Sequence, residues 1–277
     1  MKRIYDFNRS PSVRNYTVAD LQALKGSDEK LSMSNPNDAV ELRACLEADI
    51  DLLVIGASQI EEFREIAPHH FIGVGSTWSQ FGNPDEILDH AFDMMRKGGD
   101  MYYTLRSYEV MEMLSREGIP VQSHIGLIPT FSHWCGGLRG WGRTADEAME
   151  IYRTLKRMED VGVFAVEAEC IAEEVLEAIN EKTSIVTFSL GSGMAGDVIM
   201  SFVSDICGGD SEEAKPPKHA HAFGNLARLH KQMVEERVAA MQMFNDEVKA
   251  KNFPYAENSI SMHVNEKEKF LEALDKA

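Results

Sequence analysis

The sequence predicts an α/β chain closed as a (β/α)8 TIM barrel with extra C-terminal helices. Three observations carry that prediction. Strand-type and helix-type segments alternate through most of the 277 residues. The strand-type segments are near-continuous apolar runs, as parallel strands buried on both faces require. Seven or eight such units of roughly 20 to 35 residues each fit the barrel count better than an open doubly wound sheet. The G-x-G-x-x-G order of a dinucleotide fingerprint is missing, and GSGMAG at 191–196 reads as a tight turn. No Pro/Gly/Ser-rich linker interrupts the pattern. Residues 1–277 therefore read as one barrel domain, with 210–277 supplying helices and a tail that pack on the barrel or on a neighbouring subunit.

The elements follow in order. EKLSMSN (29–35) reads as a strand, and NDAVELRACLEA (37–48) has helical spacing. IDLLVIGAS (50–58) and PHHFIGVGS (68–76) are apolar strands with glycine at their exits. NPDEILDHAFDMMRKG (83–98) opens on an Asn-Pro cap signal, carries acids in its first turn and stops at glycine. DMYYTL (100–105), IPVQSHIG (119–126), VFAVEAEC (163–170) and SIVTFSLGSG (184–193) read as strands. SYEVMEMLSREG (107–118) and AEEVLEAINEKT (172–183) read as helices. TADEAMEIYRTLKRMEDVG (144–162) opens with the Thr-x-x-Glu pattern of a capping box, Thr144 with Glu147. Past a polar loop at 208–223, residues 225–252 form one long helix or two shorter ones, and 265–277 a short amphipathic helix.

Composition excludes several function classes. The net charge of −17 and a pI near 4.9 argue against a duplex nucleic-acid binder, which needs Lys and Arg to neutralise phosphates. No apolar stretch approaches the roughly 20 residues of a membrane helix, and no signal-peptide pattern is visible. The four cysteines are far apart and form no CxxC pair, so a cytoplasmic protein with reduced thiols is expected.

In a barrel, functional side chains gather where strands end. That singles out Ser58, Gly75, Arg106, His124, Glu167, Glu169 and Ser189. Side chains alternate along a strand, so Glu167 and Glu169 share one face of VFAVEAEC. Facing the interior, two neighbouring carboxyls in an apolar setting have raised pKa values and suit general acid or base work. The structural alternative pairs one of them with Arg139 or Arg143. His124 closes an apolar strand before the long loop GLIPTFSHWCGGLRGWGR (126–143), which points to substrate binding. The alternative is a core histidine bonded to a backbone carbonyl.

The stretch IPVQSHIGLIPTFSHWCGGLRGWGRTADEA resembles the ketopantoate hydroxymethyltransferase family, which acts on 3-methyl-2-oxobutanoate. AVEAECIAEEVLEAINEKTSI, SLGSG, NYTVADLQALKG and KNFPYAENS are similar to further family segments, in the right order from about residue 16 to 261. The resemblance implies a barrel of the phosphoenolpyruvate mutase/isocitrate lyase superfamily, homo-oligomers, and a helix exchanged between subunits. It also implies Mg²⁺, methylenetetrahydrofolate as one-carbon donor, and a small 2-oxo acid or other carboxylate as substrate. Glu169 matches the family's catalytic glutamate, His124 its substrate-side histidine and Ser58 the serine of its Gly-Asp-Ser motif.

The departures lie at the metal. The two family aspartate positions fall on Ala57 and Gly75, which offer no ligand. The family's Lys-x-Glu strand end becomes Tyr103-Thr104-Leu105, and its Asp-Gly-Gln becomes Asp197-Val198-Ile199. Glu167 is one candidate for a relocated metal ligand, and Tyr103 and Arg106 are candidate partners for a substrate carboxylate or enolate. Three readings follow: a hydroxymethyltransferase-like enzyme acting through an enolate, a repurposed lyase or transferase without the standard Mg²⁺ site, and a non-catalytic binding or assembly subunit.

Overall fold

The computed structural model describes residues 1–76, 78–209 and 216–277. Thr77, and residues 210–215 of the expected polar loop and C-terminal segment, lie outside the described residues. The described residues divide into two compact units, 1–208 with 216–224, and Gly209 with 225–277.

The first unit begins with an antiparallel hairpin, β1 (Lys2–Tyr5) and β2 (Pro11–Arg14), then α1 (Val18–Gln22). Thr17 and Asp20 cap α1 reciprocally, the arrangement sequence reasoning placed at Thr144. The barrel units follow: β3 (Leu31–Ser34) and α2 (Ala39–Glu47), β4 (Leu52–Gly56) and α3 (Ile60–Ile66), β5 (Phe71–Gly75) and α4 (Pro84–Arg96). Next come β6 (Met101–Tyr103) and α5 (Tyr108–Arg116), β7 (Val121–Gly126) and α6 (Ala145–Asp160), β8 (Ala165–Glu169) and α7 (Glu173–Asn180). β9 (Val186–Leu190), β10 (Val198–Met200) and α8 (Val203–Cys207) complete it. Strands β3 to β10 close as an eight-stranded parallel barrel in the order β10-β3-β4-β5-β6-β7-β8-β9. The glycine turn at 191–196 is the connection from β9 to β10, with Gly191 and Gly193 at positive φ.

The expected caps form. Asn83 accepts from the Glu86 amide with Pro84 in the first turn of α4, and Thr144 accepts from the Glu147 amide at α6. The second half of the α6 box does not form, because the Glu147 carboxylate takes the Arg143 amide (3.1 Å) and the Arg139 guanidinium (2.8 Å) instead.

Strand alternation splits the core into two layers. Leu31, Met33, Leu52, Phe71, Met101, Ala165, Val186, Phe188 and Val198 fill the barrel interior. Leu53, Ile55, Ile72, Val74, Tyr102, Val121, Ile125, Val166 and Ala168 face the helices. On β8 the inward parity of Ala165 carries Glu167 and Glu169 inward too.

The second unit holds α9 (Leu226–Lys249) and α10 (Glu266–Leu274). The segment sequence reasoning left as one helix or two is a single 24-residue helix capped by Asn225. Among the described residues, no helix is long and apolar enough to cross a membrane.

Candidate active site

A cavity of about 330 Å³ opens where the strands end, lined by residues that include Asn35, Gln59, Tyr103, His124, Glu167 and Glu169. Register sets the acidic pair. His124 lies opposite Glu167 and Gly126 opposite Glu169 across the β7–β8 ladder, so His124 and Glu167 share one level inside the barrel and Glu169 stands beyond them at the rim. β8 then breaks off sharply. Cys170 adopts a left-handed backbone (φ 52°), a strained state for a non-glycine residue, and turns the chain just past Glu169. The long loop after β7 is held to this turn, with the Trp141 amide donating to the Cys170 carbonyl (2.9 Å) and Ala172 to Trp141 (2.9 Å).

His124 is 3% exposed and hydrogen-bonded through both ring nitrogens. Nε2 lies 2.7 Å from the Leu127 carbonyl, which can only accept, so the ring proton sits on Nε2. Nδ1 then accepts from the Tyr103 hydroxyl at 3.0 Å. Burial drives the His124 pKa down to about 4, against a smaller opposing effect of the Leu127 bond. The imidazole is therefore neutral, and its approaches to Glu169 (3.4 Å) and Glu167 (4.0 Å) are not ion pairs at neutral pH. The backbone-carbonyl bond expected of a plain core histidine is present, yet the same ring lines the cavity.

Glu167 and Glu169 are 9% and 7% exposed. Burial, with the charge of Glu169 beside it, pushes Glu167 up to about 8, and burial alone pushes Glu169 up to about 7. Burial foremost, then both glutamates, holds the Tyr103 phenol well above its ordinary range, so it stays a donor. The Arg139 alternative is not realised: that guanidinium pairs with Glu147 and stacks 4.1 Å over Trp141. Among the described residues, those lining the cavity include no lysine or arginine.

The remaining expected site residues lie elsewhere. Ser58 is exposed in the short 3-10 turn Ala57–Gln59, and its neighbour Gln59 lines the cavity in its stead. Gln59 accepts from the Gly56 amide and donates to the Asn37 carbonyl, tying two strand exits together. Ser189 has the opposite parity to inward-facing Phe188 and donates to the Gly193 carbonyl at 2.6 Å. Arg106 donates to the carbonyls of Phe81 (2.9 Å) and Trp78 (3.3 Å), clipping the loop before α4 rather than facing the cavity. Asn35, Asn37 and Thr130 line the cavity without having been singled out. The pair Asn35 and Asn37 directly follows a strand exit, the signal that could have marked them.

The family model for ketopantoate hydroxymethyltransferase matches residues 77–256. The chain belongs to the ketopantoate hydroxymethyltransferase family. It is 26% identical to a 3-methyl-2-oxobutanoate hydroxymethyltransferase of Nitrosopumilus maritimus (strain SCM1), covering 93% of this chain and 98% of that one. It is 27% identical to the enzyme of the same name from Thermotoga maritima, covering 88% and 96%. Among solved structures it is similar to 2,3-dimethylmalate lyase, a PEP mutase/isocitrate lyase superfamily member, at a TM-score of 0.46 and 15% identity, with 94% and 96% of the two chains covered.

The family is metal-dependent in general, and the residues present do not fit a metal at the family's aspartate positions. Ala57 has only a methyl group. At Gly75, even a Cβ would lie 2.7 Å from the Tyr103 carbonyl oxygen and 2.8 Å from its Cβ, so an aspartate cannot be accommodated without moving β6. One atom each of His124, Glu167 and Glu169 lie within 4.8 Å of one another, a span that suits a metal ion. With both ring nitrogens of His124 engaged, that set reduces to two carboxyl groups.

Proposed function

We propose that the chain acts on a small 2-oxo acid, making or breaking a carbon–carbon bond next to the carbonyl through an enolate-type intermediate. Glu169 is the proton-transferring residue, and His124 with Tyr103 shapes the wall against which the substrate lies. The observation that carries this reading is the convergence of Glu169 and His124 on one cavity, with a carboxyl group that titrates near neutral pH. A base of that pKa is substantially ionised at pH 7 and can still return the proton. The cavity sits at the small end of ligand pockets, in keeping with a short acid.

The enolisation half-step balances simply. The C3 proton moves to the Glu169 carboxylate, the C–H electron pair forms the C2–C3 double bond, and the carbonyl pair moves onto oxygen. Methylenetetrahydrofolate, when bound, would supply the one-carbon unit at the oxidation level of formaldehyde. A second reading, a repurposed lyase or transferase on another small carboxylate without the family metal, is favoured by Tyr103 closing the space at Gly75. Homo-oligomers belong to the same proposal, and a sedimentation mass of one chain would remove them.

Deuterium exchange at C3 of 3-methyl-2-oxobutanoate in D2O tests the half-step. Wild type is expected to exchange above the uncatalysed rate, and Glu169→Gln to lose about 100-fold or more. Equal exchange by the two proteins would rule Glu169 out.

A further inference from the structure

We infer that Glu167 is a catalytic acid of this site, holding its proton and donating a hydrogen bond to the enolate oxygen that Glu169 generates. The inference deepens the proposed function and rests on Glu169 as the base. In the family that resemblance describes, a metal ion stabilises the enolate; here the geometry gives that place to a neutral carboxyl.

The argument starts from charge. Strand parity and register bring two buried carboxyl groups to the inner face of β8, with oxygens within a 4.8 Å cluster. His124 approaches Glu169 at 3.4 Å and Glu167 at 4.0 Å, but as a neutral ring it brings neither carboxyl a counter-charge. The titratable groups around them are Tyr103 from β6, His124 from β7 and the Cys170 thiol, which burial and then the charge of Glu169 push up; all three are neutral, and among the described residues the lining offers no cation. Two bare carboxylates cannot both ionise at this spacing without a counter-charge, so the pair retains one proton near neutral pH. Depth decides which group keeps it. Glu167 lies level with His124 inside the barrel, whereas Glu169 ends the strand at the rim. The direction of both pKa shifts agrees, with Glu167 the higher of the two.

The competing arrangement is a metal at this end of the barrel. Its family positions are an alanine and a glycine, the second crowded by Tyr103, and His124 has no free nitrogen lone pair. A buried neutral carboxyl beside a substrate oxygen is a strong donor in a water-poor site. It also leaves the cavity with one negative charge rather than two, a lesser barrier to an anionic acid.

The test uses C3 deuterium exchange on the full chain, with and without a chelator, together with Mn²⁺ binding by calorimetry. Glu167→Gln keeps a neutral N–H donor of similar shape, and Glu167→Ala removes it. We expect exchange to survive chelation, Glu167→Gln to retain it within about tenfold, and Glu167→Ala to lose about 100-fold. The fall in rate above about pH 8 should vanish in Glu167→Gln while the rise through about pH 7 remains. Exchange abolished by chelation and restored by Mn²⁺, with Mn²⁺ binding lost in Glu167→Gln, would make Glu167 a metal ligand and overturn the inference. Equal rates in wild type, Gln and Ala variants would make it a bystander. Infrared difference spectra at pH 7 read the proton directly: a protonated-carboxyl band lost in Glu167→Gln is expected, and its absence in wild type refutes the neutral acid even if Glu169 proves to be the base.

Discussion

At the scale of single residues, the site keeps ionisable groups where their charged forms are disfavoured, and that has a stability consequence. An unfolded glutamate titrates near 4.5, whereas Glu167 in the barrel is pushed up to about 8. A carboxyl whose folded pKa is raised binds its proton more tightly when folded. Its penalty is absent below about pH 4.5 and grows as the pH rises through about 8, because the unfolded chain gives up the proton first. Replacing Glu167 with glutamine removes that titration while keeping the shape. Thermal melts of Glu167→Gln should therefore show a Tm gain over wild type that is small at pH 5 and several degrees at pH 8. A gain independent of pH would mean that Glu167 is not held neutral in the folded chain. Such a gain in a variant of an active-site residue is the usual mark of a group kept for function at a cost in stability.

At the scale of elements, strand parity explains both what the sequence revealed and what it hid. Glu167, Glu169 and His124 were legible because alternation along two long apolar strands fixes which side chains point inward. The same rule, applied to SIVTFSL, would have turned Ser189 away from the interior. Ser58 was beyond its reach, because β4 ends at Gly56 and the next three residues curl into a 3-10 turn whose facing no period-two pattern predicts. β10 was missed because three residues are too short to show a period, and the hairpin of β1 and β2 because its four-residue strands bury only Arg14 and show no apolar alternation. The exit of β7 is constrained more tightly than its composition suggests. Gly126 has φ +87°, and a Cβ there would run into the Glu169 carbonyl and lie 2.6 Å from Ile171 Cγ1. Gly126→Ala should thus destabilise the chain by more than about 1 kcal/mol and shift Glu169, lowering C3 exchange as well. A variant with unchanged Tm and exchange would show that the two strand ends are not locked together.

At the scale of the whole molecule, the chain carries 17 more acidic than basic groups, yet its proposed substrate is an anion. Those two facts set a test that separates the long-range field from the cavity. Exposed charges repel an approaching carboxylate through solvent, and salt screens that repulsion once the Debye length falls from about 10 Å at 0.1 M to about 3 Å at 1 M. The pair at Glu167 and Glu169 is buried and close, so salt screens it far less. Raising NaCl from 0.05 to 0.5 M should increase kcat/KM for C3 exchange a few-fold while leaving kcat and the pH limbs near 7 and 8 in place. The same salt should raise Tm, because surface self-repulsion weakens the compact state. If salt lowers kcat/KM, the substrate is drawn in by positive charge that the described lining residues do not show, and an anionic acid held beside a neutral Glu167 is the wrong picture. If salt instead moves the pH limbs, the acidic pair is open to solvent, and the barrel interior does not hold the proton that the enolate requires.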